Sequence, residues 1–453
     1  MSTITIEQRR QHRLTTIENS LAKRHRKENL FRRAGLAAVL IGMTLVAILF
    51  ISILIRGVPA FWQATIFTDV YFDPEVIELE EKPQRGSDES QFAFEERYLE
   101  WMTQAGRVNW QLLIDSALED ALGVDVEPRD LRNLRALVTS NERYELRNRF
   151  IENPSLLGET VEVKLLASAD VDVWLKGNID RSLDAARLQL SAQAREWADR
   201  LYDEGVITNS FSTSLFLNTD SRSSPASAGL AGAFMGSLFM MVVVIALSVP
   251  IGVCSAIYLE EFAPQNRITD IIEININNLA AVPSIVFGLL GASIFIGYLG
   301  LPLSAPLVGG LVLTLMTLPT IIIATRASLR SIPPSIRQAA LGIGASRVQT
   351  VFHHVLPLAL PGILTGSILG VAQALGETAP LLLIGMNAFV SSVPGSPMEQ
   401  STALPVQIYL WQGNEMRNFF EARTSAAIIV LLGLMLSLNA LAIWLRKKFE
   451  TRW

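Results

Sequence analysis

The chain has 453 residues, 50% of them apolar and only 18% charged, with a mean hydropathy of +0.34 and a formal net charge of −5. That balance excludes an ordinary soluble protein of this length, and indicates a membrane protein carrying a soluble part. The single cysteine, Cys254, excludes an intrachain disulfide; lying in an apolar run, it reads as a small hydrophobe packed in a helix.

Residues 1–33 form a basic tail containing Arg9, Arg10, Arg13, Lys23, Arg24, Arg26, Lys27, Arg32 and Arg33. A first apolar span follows at 34–56, and Arg56-Gly57-Val58-Pro59 closes it. A cleaved leader has a shorter charged region and a small-residue cleavage site, so the segment reads as an uncleaved anchor. The basic run abuts a span, which favours orientation by the positive-inside rule over nucleic-acid binding.

Residues 57–225 carry 31 Asp and Glu against 17 Lys and Arg. The segment is long enough to fold as one domain. Helical periods are predicted over Phe92–Leu122, Arg129–Phe150 and Ser182–Tyr202, and strands over Thr160–Leu166 and Ile207–Phe216, giving an α+β domain. Ser221–Ser227 reads as a linker back to the membrane. The acidity describes either a solvated surface or a docking face for an extracytoplasmic partner. With no Cys and no His the segment lacks the common zinc ligand sets, and no catalytic constellation, metal site or cofactor motif is expected.

The second span is predicted over Leu230–Leu259. From Ile274 to Thr325 there is no Asp, Glu, Lys, Arg or His, a length of two spans divided near Gly297–Pro306. Pro283 and Gly288 predict a kink or a broken helix in the first of these. The fifth span is expected over Leu358–Met386. The sixth covers Ala426–Leu445 and ends in Arg446, Lys447 and Lys448. Residues 228–445 thus form a five-helix core, and the chain is an α-helical polytopic membrane protein with six transmembrane helices. The tails at 1–33 and 446–453 and the loop 326–357, with Arg326, Arg330, Arg337, Arg347 and no acid, all fall on the cytoplasmic side, leaving 57–225 outside.

Three stretches carry more specific information. Within the loop stand Gln338-Ala339-Ala340, then Gly344, then Leu356-Pro357. This resembles the EAA loop of ABC importer permeases: Glu-Ala-Ala, three residues, Gly, nine residues, Ile-x-Leu-Pro. Gln338 replaces the Glu and His354 the Ile. A short helix of this kind passes force by fitting a groove on a soluble ATPase; small alanines permit close approach, Pro333-Pro334 start it, and Gly342 and Gly344 let the chain turn after it. The second stretch is Ala374-Leu375-Gly376-Glu377-Thr378-Ala379-Pro380, and the third is Ala281-Val282-Pro283-Ser284-Ile285-Val286-Phe287-Gly288-Leu289. They resemble the GETAP and VPSIVxGL segments of PstA-type phosphate permeases, so that residues 228–445 resemble that family and 57–225 resemble an insertion.

The resemblance implies an inner-membrane permease subunit of a phosphate importer, with a type I permease fold. It also implies a PstC-like second permease, two PstB-like ATPase subunits, a PstS-like periplasmic binding protein, and phosphate as the cargo. Glu377 stands out on chemistry alone, being the only charged residue between His354 and Glu399. A charged group at membrane depth faces a pathway or a partner, or is hydrogen-bonded to neighbouring helices near the span's end. The expected pathway residues are Glu377, Thr378, Gln373, Pro283 and Ser284; where relatives commonly carry an arginine, this chain has Gln373. No G-x-x-x-x-G-K-[ST] loop is present, so ATP hydrolysis is expected on another chain and no catalytic residue on this one. The competing readings are an importer for sulfate or molybdate, a secondary transporter or channel, and a membrane-anchored sensor.

Overall fold

The structure, a computed structural model, describes residues 6–86, 89–179, 181 and 189–449. It divides into two units, Met1–Arg56 and Gly57–Trp453. The first consists of most of helix α1 (Ile6–Gly57). The stretch Arg24–Phe61 is long and apolar enough to cross a membrane, and Leu36, Ile41, Leu45 and Leu49 stand exposed along it.

The second unit begins with an α+β domain built on a three-stranded antiparallel sheet of order β2-β1-β3. Its strands are β1 (Trp62–Tyr71), β2 (Thr160–Leu166) and β3 (Ile207–Phe211). β1 pairs through Thr68 with Val163 on one side and through Thr65 with Thr208 on the other. Ala64, Ile66 and Val70 of the central strand are fully buried and pack with Leu113, Ile114 and Leu118 of a helix. Burying each large side chain of this kind contributes about 1.5–3 kcal/mol.

The helices differ from the predicted ones in informative ways. Phe92–Leu122 is two helices, α2 (Gln91–Ala105) and α3 (Trp110–Leu122), because the chain turns at Gly106 and Trp110 donates its indole N–H to the Ala105 carbonyl at 2.8 Å. Arg129–Phe150 is likewise interrupted. A short helix, Leu131–Arg135, precedes α4 (Glu142–Glu152), and between them Val138 bridges to Ala167 beside the sheet. α5 (Ala169–Leu175) follows β2, capped by the Ser168 hydroxyl. The third predicted helix is α6 (Ala192–Asp203), capped by Ser191; residues 182–188 lie outside the described part. The predicted strand Ile207–Phe216 stops at Phe211, where Thr213–Leu217 turns into a helical segment. β1 was not predicted, since it continues an apolar run and is buried on both faces around Gln63–Ile66. Ser221–Ser227 is no free linker: Ser224, Ala226 and Ser227 are buried.

The remaining helices are α7 (Ala231–Ile257), α8 (Arg267–Ala280), α9 (Ser284–Gly291), α10 (Pro306–Arg330), α11 (Pro334–Gly342), α12 (Leu356–Leu375), α13 (Ala379–Leu383), α14 (Leu404–Gln412) and α15 (Arg417–Phe449). Among the described residues five helices are long and apolar enough to cross a membrane, or six if a bent pair counts as one span. That pair is α8 with α9 and its π-helical continuation Ala292–Tyr298, meeting at 100°. The break falls at Ala281–Pro283, where proline removes a donor and disfavours helix at the residue before it. α10 packs between α7 and α12. Hydroxyls inside this bundle bond back to their own helices, Ser248 to the Val244 carbonyl and Thr314 to that of Gly310, both at 2.7 Å. Such bonds satisfy polar groups where water is absent.

The fifth span ends at Leu375 rather than Met386, because Gly376–Thr378 leaves the helix and α13 restarts as a short separate turn. Cys254 lies in α7 as predicted, but on its exposed side, not packed. In a span the outward face is as apolar as the core, so hydrophobicity alone does not tell the two apart.

The α+β domain and the helical bundle meet at a buried guanidinium. Arg423 of α15 is 2% exposed and donates to the carbonyl oxygens of Ala226, at 2.7 Å, and Ala228. It also lies over the Phe419 ring, 4.7 Å from its centroid.

Candidate functional site

The loop between α10 and α12 is built from local signals. Pro333 precedes α11 and Pro334 occupies its first position, where a missing N–H costs nothing. Ala340 is buried at 5% exposure, whereas Gln338 and Ala339 face outward. After the helix, Gly344 adopts φ +93°, a left-handed conformation that favours glycine. Ser346 then caps the one-turn helix Arg347–Thr350, with Gln349 completing the reciprocal capping pair. A π-helical turn, Val351–Val355, leads into α12, where Leu356 and Pro357 are half-buried. The predicted elements therefore lie in one hairpin-like segment. Its outward side also exposes Leu341, Ile343 (82% exposed) and Val348, apolar residues that the sequence reading did not single out.

Three of the four arginines of the segment 326–357 are paired with acids, although the segment itself contains none. Arg326 donates to Glu260 at 3.2 Å and to Glu273, and Arg330 binds both carboxylate oxygens of Glu260 at 2.8 and 2.9 Å. Arg337 pairs with Glu261. Glu260 and Glu261 sit on a π-helical turn, Tyr258–Phe262, that closes α7, and Glu273 lies on α8. Sequence reasoning missed these acids because it weighed the loop's charge by itself; the adjacent Glu260-Glu261 at a span's end was the available signal.

The other two motifs come together. α9, which begins at Ser284, packs against α13, which begins just after Glu377 and Thr378. At the crossing Gly288 touches Pro380 so closely that a Cβ at position 288 would lie 2.7 Å from the Pro380 Cα. Pro283 and Gln373 are exposed, and Ser284, Glu377 and Thr378 half-buried. Glu377 lies in the non-helical break before α13, and its carboxylate has no hydrogen-bond or ion-pair partner among the described residues. The neighbouring-helix hydrogen bond that a packed glutamate would make is therefore not formed among the described residues. No group of three or more His, Cys, Asp or Glu among the described residues is placed to hold a metal ion.

Residues 248–453 match the family described as "Binding-protein-dependent transport system inner membrane component", and residues 18–185 match one described only as a domain of unknown function. The chain is 30% identical over 242 residues to "Probable ABC transporter permease protein YqgI" of Bacillus subtilis, covering 51% of this chain and 82% of that one. It is 31% identical over 222 residues to "Phosphate transport system permease protein PstA" of Xylella fastidiosa, covering 49% of this chain and 76% of that one. The chain belongs to the PstA-type permeases. Of a similar mycobacterial permease, "Phosphate transport system permease protein PstA 1" of Mycobacterium tuberculosis, this permease spans about half the length, at 36% identity over 156 residues and 34% of its own chain. The match to the transport-system inner-membrane component, residues 248–453, lies wholly C-terminal to the α+β domain.

Proposed function

We propose that this chain is the non-catalytic membrane subunit of an ATP-driven importer for inorganic phosphate. The observation that carries this reading is its 31% identity across three quarters of a phosphate transport system permease. ATP would be hydrolysed by a separate PstB-like pair, and closure of that pair would reach the spans through α11. The outward Gln338 and Ala339, with the exposed Leu341, Ile343 and Val348, form a small apolar surface suited to a groove on such a partner. Solvent-exposed apolar residues on one short segment, here spanning α11 and the turn after it, mark an interaction surface.

In this reading the 100° break between α8 and α9 and the break before α13 form one region, with Glu377, Thr378, Gln373, Pro283 and Ser284 along the route of the anion. Irregular backbone at membrane depth is tolerated where it lines a cavity or packs against protein. An unpaired Glu377 suits a proton-accepting contact to a phosphate hydroxyl, or a pair with an arginine of a PstC-like second permease. Both tails and the loop 326–357 would be cytoplasmic in the inner membrane, with 57–225 in the periplasm, where a PstS-like protein delivers phosphate.

The test is to purify the chain from its native membrane and measure ATP hydrolysis by whatever elutes with it in stoichiometric amount. The expected result is a co-eluting ATPase whose rate rises with inorganic phosphate and its loaded binding protein. Stimulation by sulfate or molybdate and not phosphate would reassign the cargo, and absence of any ATPase would exclude the importer class.

A further inference from the structure

We infer that Glu261 and Arg337 are positioning residues that clamp the force-bearing helix, α11, to the inner ends of α7 and α10; this rests on the coupling role proposed above. Arg337 lies on the second turn of α11, immediately before Gln338. Its guanidinium Nη1 donates to the Ile332 carbonyl at 2.8 Å and its Nη2 to the Leu329 carbonyl at 3.0 Å. These carbonyls belong to the C-terminal end of α10 and the turn after it, where backbone acceptors lack helical partners and the helix dipole favours a cation. The same guanidinium reaches across to both oxygens of Glu261, its Nε lying 3.2 Å from each.

Glu261 belongs to the π-helical turn that closes α7, and its side chain is only 8% exposed; that of Arg337 is 23% exposed. One side chain thus ties three elements: α11, the end of α10, and the end of α7. A bidentate contact fixes orientation as well as distance, which a single lysine contact would not do. Burial makes the pair expensive to break, since either partner alone would remain as an uncompensated charge.

The neighbouring ion pairs define what the clamp adds. Arg326 and Arg330 bind Glu260 and Glu273, and so join α10 to the end of α7 and to α8 without involving α11. Of the four acid-paired contacts on this face, only Arg337–Glu261 includes α11. Without it, α11 is held by Ala340, by the turn at Gly344, and by packing on the π-turn Val351–Val355. An ATPase pushing on such a helix would bend it about its ends and leave α7 and α10 in place. With the clamp, displacement of α11 carries both spans.

The experiment uses the full importer in proteoliposomes with its binding protein, and reads inorganic phosphate transported per ATP hydrolysed. Glu261→Gln and Arg337→Gln are each expected to lower that ratio about tenfold while ATP hydrolysis persists, the scale of a typical coupling free energy. The double variant, Glu261→Gln with Arg337→Gln, is expected to lower the ratio no further than the more affected single variant, because both substitutions remove the same contact. A merely structural defect would lower the amount of assembled complex and leave the ratio of surviving complexes unchanged. Single variants with the wild-type ratio would overturn the clamp while leaving the importer reading intact. The same holds if the ratio falls in each single variant and the two losses multiply in the double variant, present at wild-type abundance, because the two residues would then act independently. If the unaltered chain co-purifies with no ATPase, the reading on which the clamp rests fails, and the clamp with it.

Discussion

The Nη2 of Arg423 donates to Oε1 of Gln63 at 2.8 Å, joining the first residues of the three-stranded sheet to the start of the last helix across 360 positions of sequence. Gln63 in turn donates to the Ala226 carbonyl at 2.9 Å and accepts from the Ser212 hydroxyl at 3.1 Å. Among the described residues the guanidinium is held by carbonyl and amide oxygens with no direct carboxylate contact. Replacing Arg423 with Met would leave the Ala226 and Ala228 carbonyls and Gln63 short of a donor. The expected loss is about 3 kcal/mol, and Arg423→Lys, lacking the planar fork, should recover little of it. Thermal unfolding of the purified chain in detergent measures this; a melting temperature unchanged in the Met variant would show that the joint does not hold the domain.

The α+β domain should lose stability between acid and mildly alkaline pH. Burial pushes the Glu142 carboxyl up to about 8, well above the ordinary carboxylate range, and Glu145 adds to the shift while the Leu166 backbone and Lys164 oppose it. The folded domain therefore holds a proton that the unfolded chain releases near 4.5. Stability is greatest below that value, falls as pH rises towards 8, and levels off above it; the full difference is at most about 4 to 5 kcal/mol. Burial also raises Asp170, which acts in the same direction. Denaturant unfolding of the full chain, followed by tryptophan fluorescence, should show this decline, and Glu142→Gln should flatten it. A decline of equal size in the Gln variant would exonerate Glu142.

At Gly288 a Cβ would meet Pro380 backbone atoms at 2.7 and 2.8 Å and a Leu383 methyl at 3.1 Å. Backbone cannot yield as a flexible side-chain end does. Gly288→Ala should therefore force α9 from α13 at a cost of about 1–3 kcal/mol. Phosphate uptake by cells carrying the variant should fall while the chain remains inserted; full uptake would mean that this crossing tolerates separation.

Glu377→Gln keeps the side chain's shape and removes its charge. Because no partner within this chain depends on that charge among the described residues, folding and assembly should be unaffected while phosphate uptake drops several-fold. Equal uptake kinetics in the two forms would remove Glu377 from the pathway.

Much of the membrane part was legible because its signals are local. Runs of apolar residues mark spans, Pro283 marks the break, Pro333-Pro334 mark the start of α11, and Gly344 marks its end through a positive φ. The family resemblance rested on the same residues. The features that escaped depend on contacts remote in sequence. β1 gains its place only by pairing with partners about 100 and 140 residues away, as Thr68 with Val163 and Thr65 with Thr208. The acids that neutralise Arg326, Arg330 and Arg337 come from two other elements. Arg423 reads as one more charge near a span until the fold buries it. The end of the fifth span was overrun because the helix stops at Gly376 while the apolar run resumes at Ala379, directly after Glu377 and Thr378.

The central claim is that α11 meets a nucleotide-hydrolysing partner, and Ala339 is the outward residue from which to measure it. Cys254 is the chain's one cysteine, so a Cys254→Ala, Ala339→Cys form offers a single crosslinking site. Treated with a short bifunctional reagent in intact membranes, it should capture an ATP-hydrolysing subunit in high yield, with the yield changing when nucleotide is trapped. Persistent failure to capture such a subunit, in a form that still imports phosphate, would contradict the account.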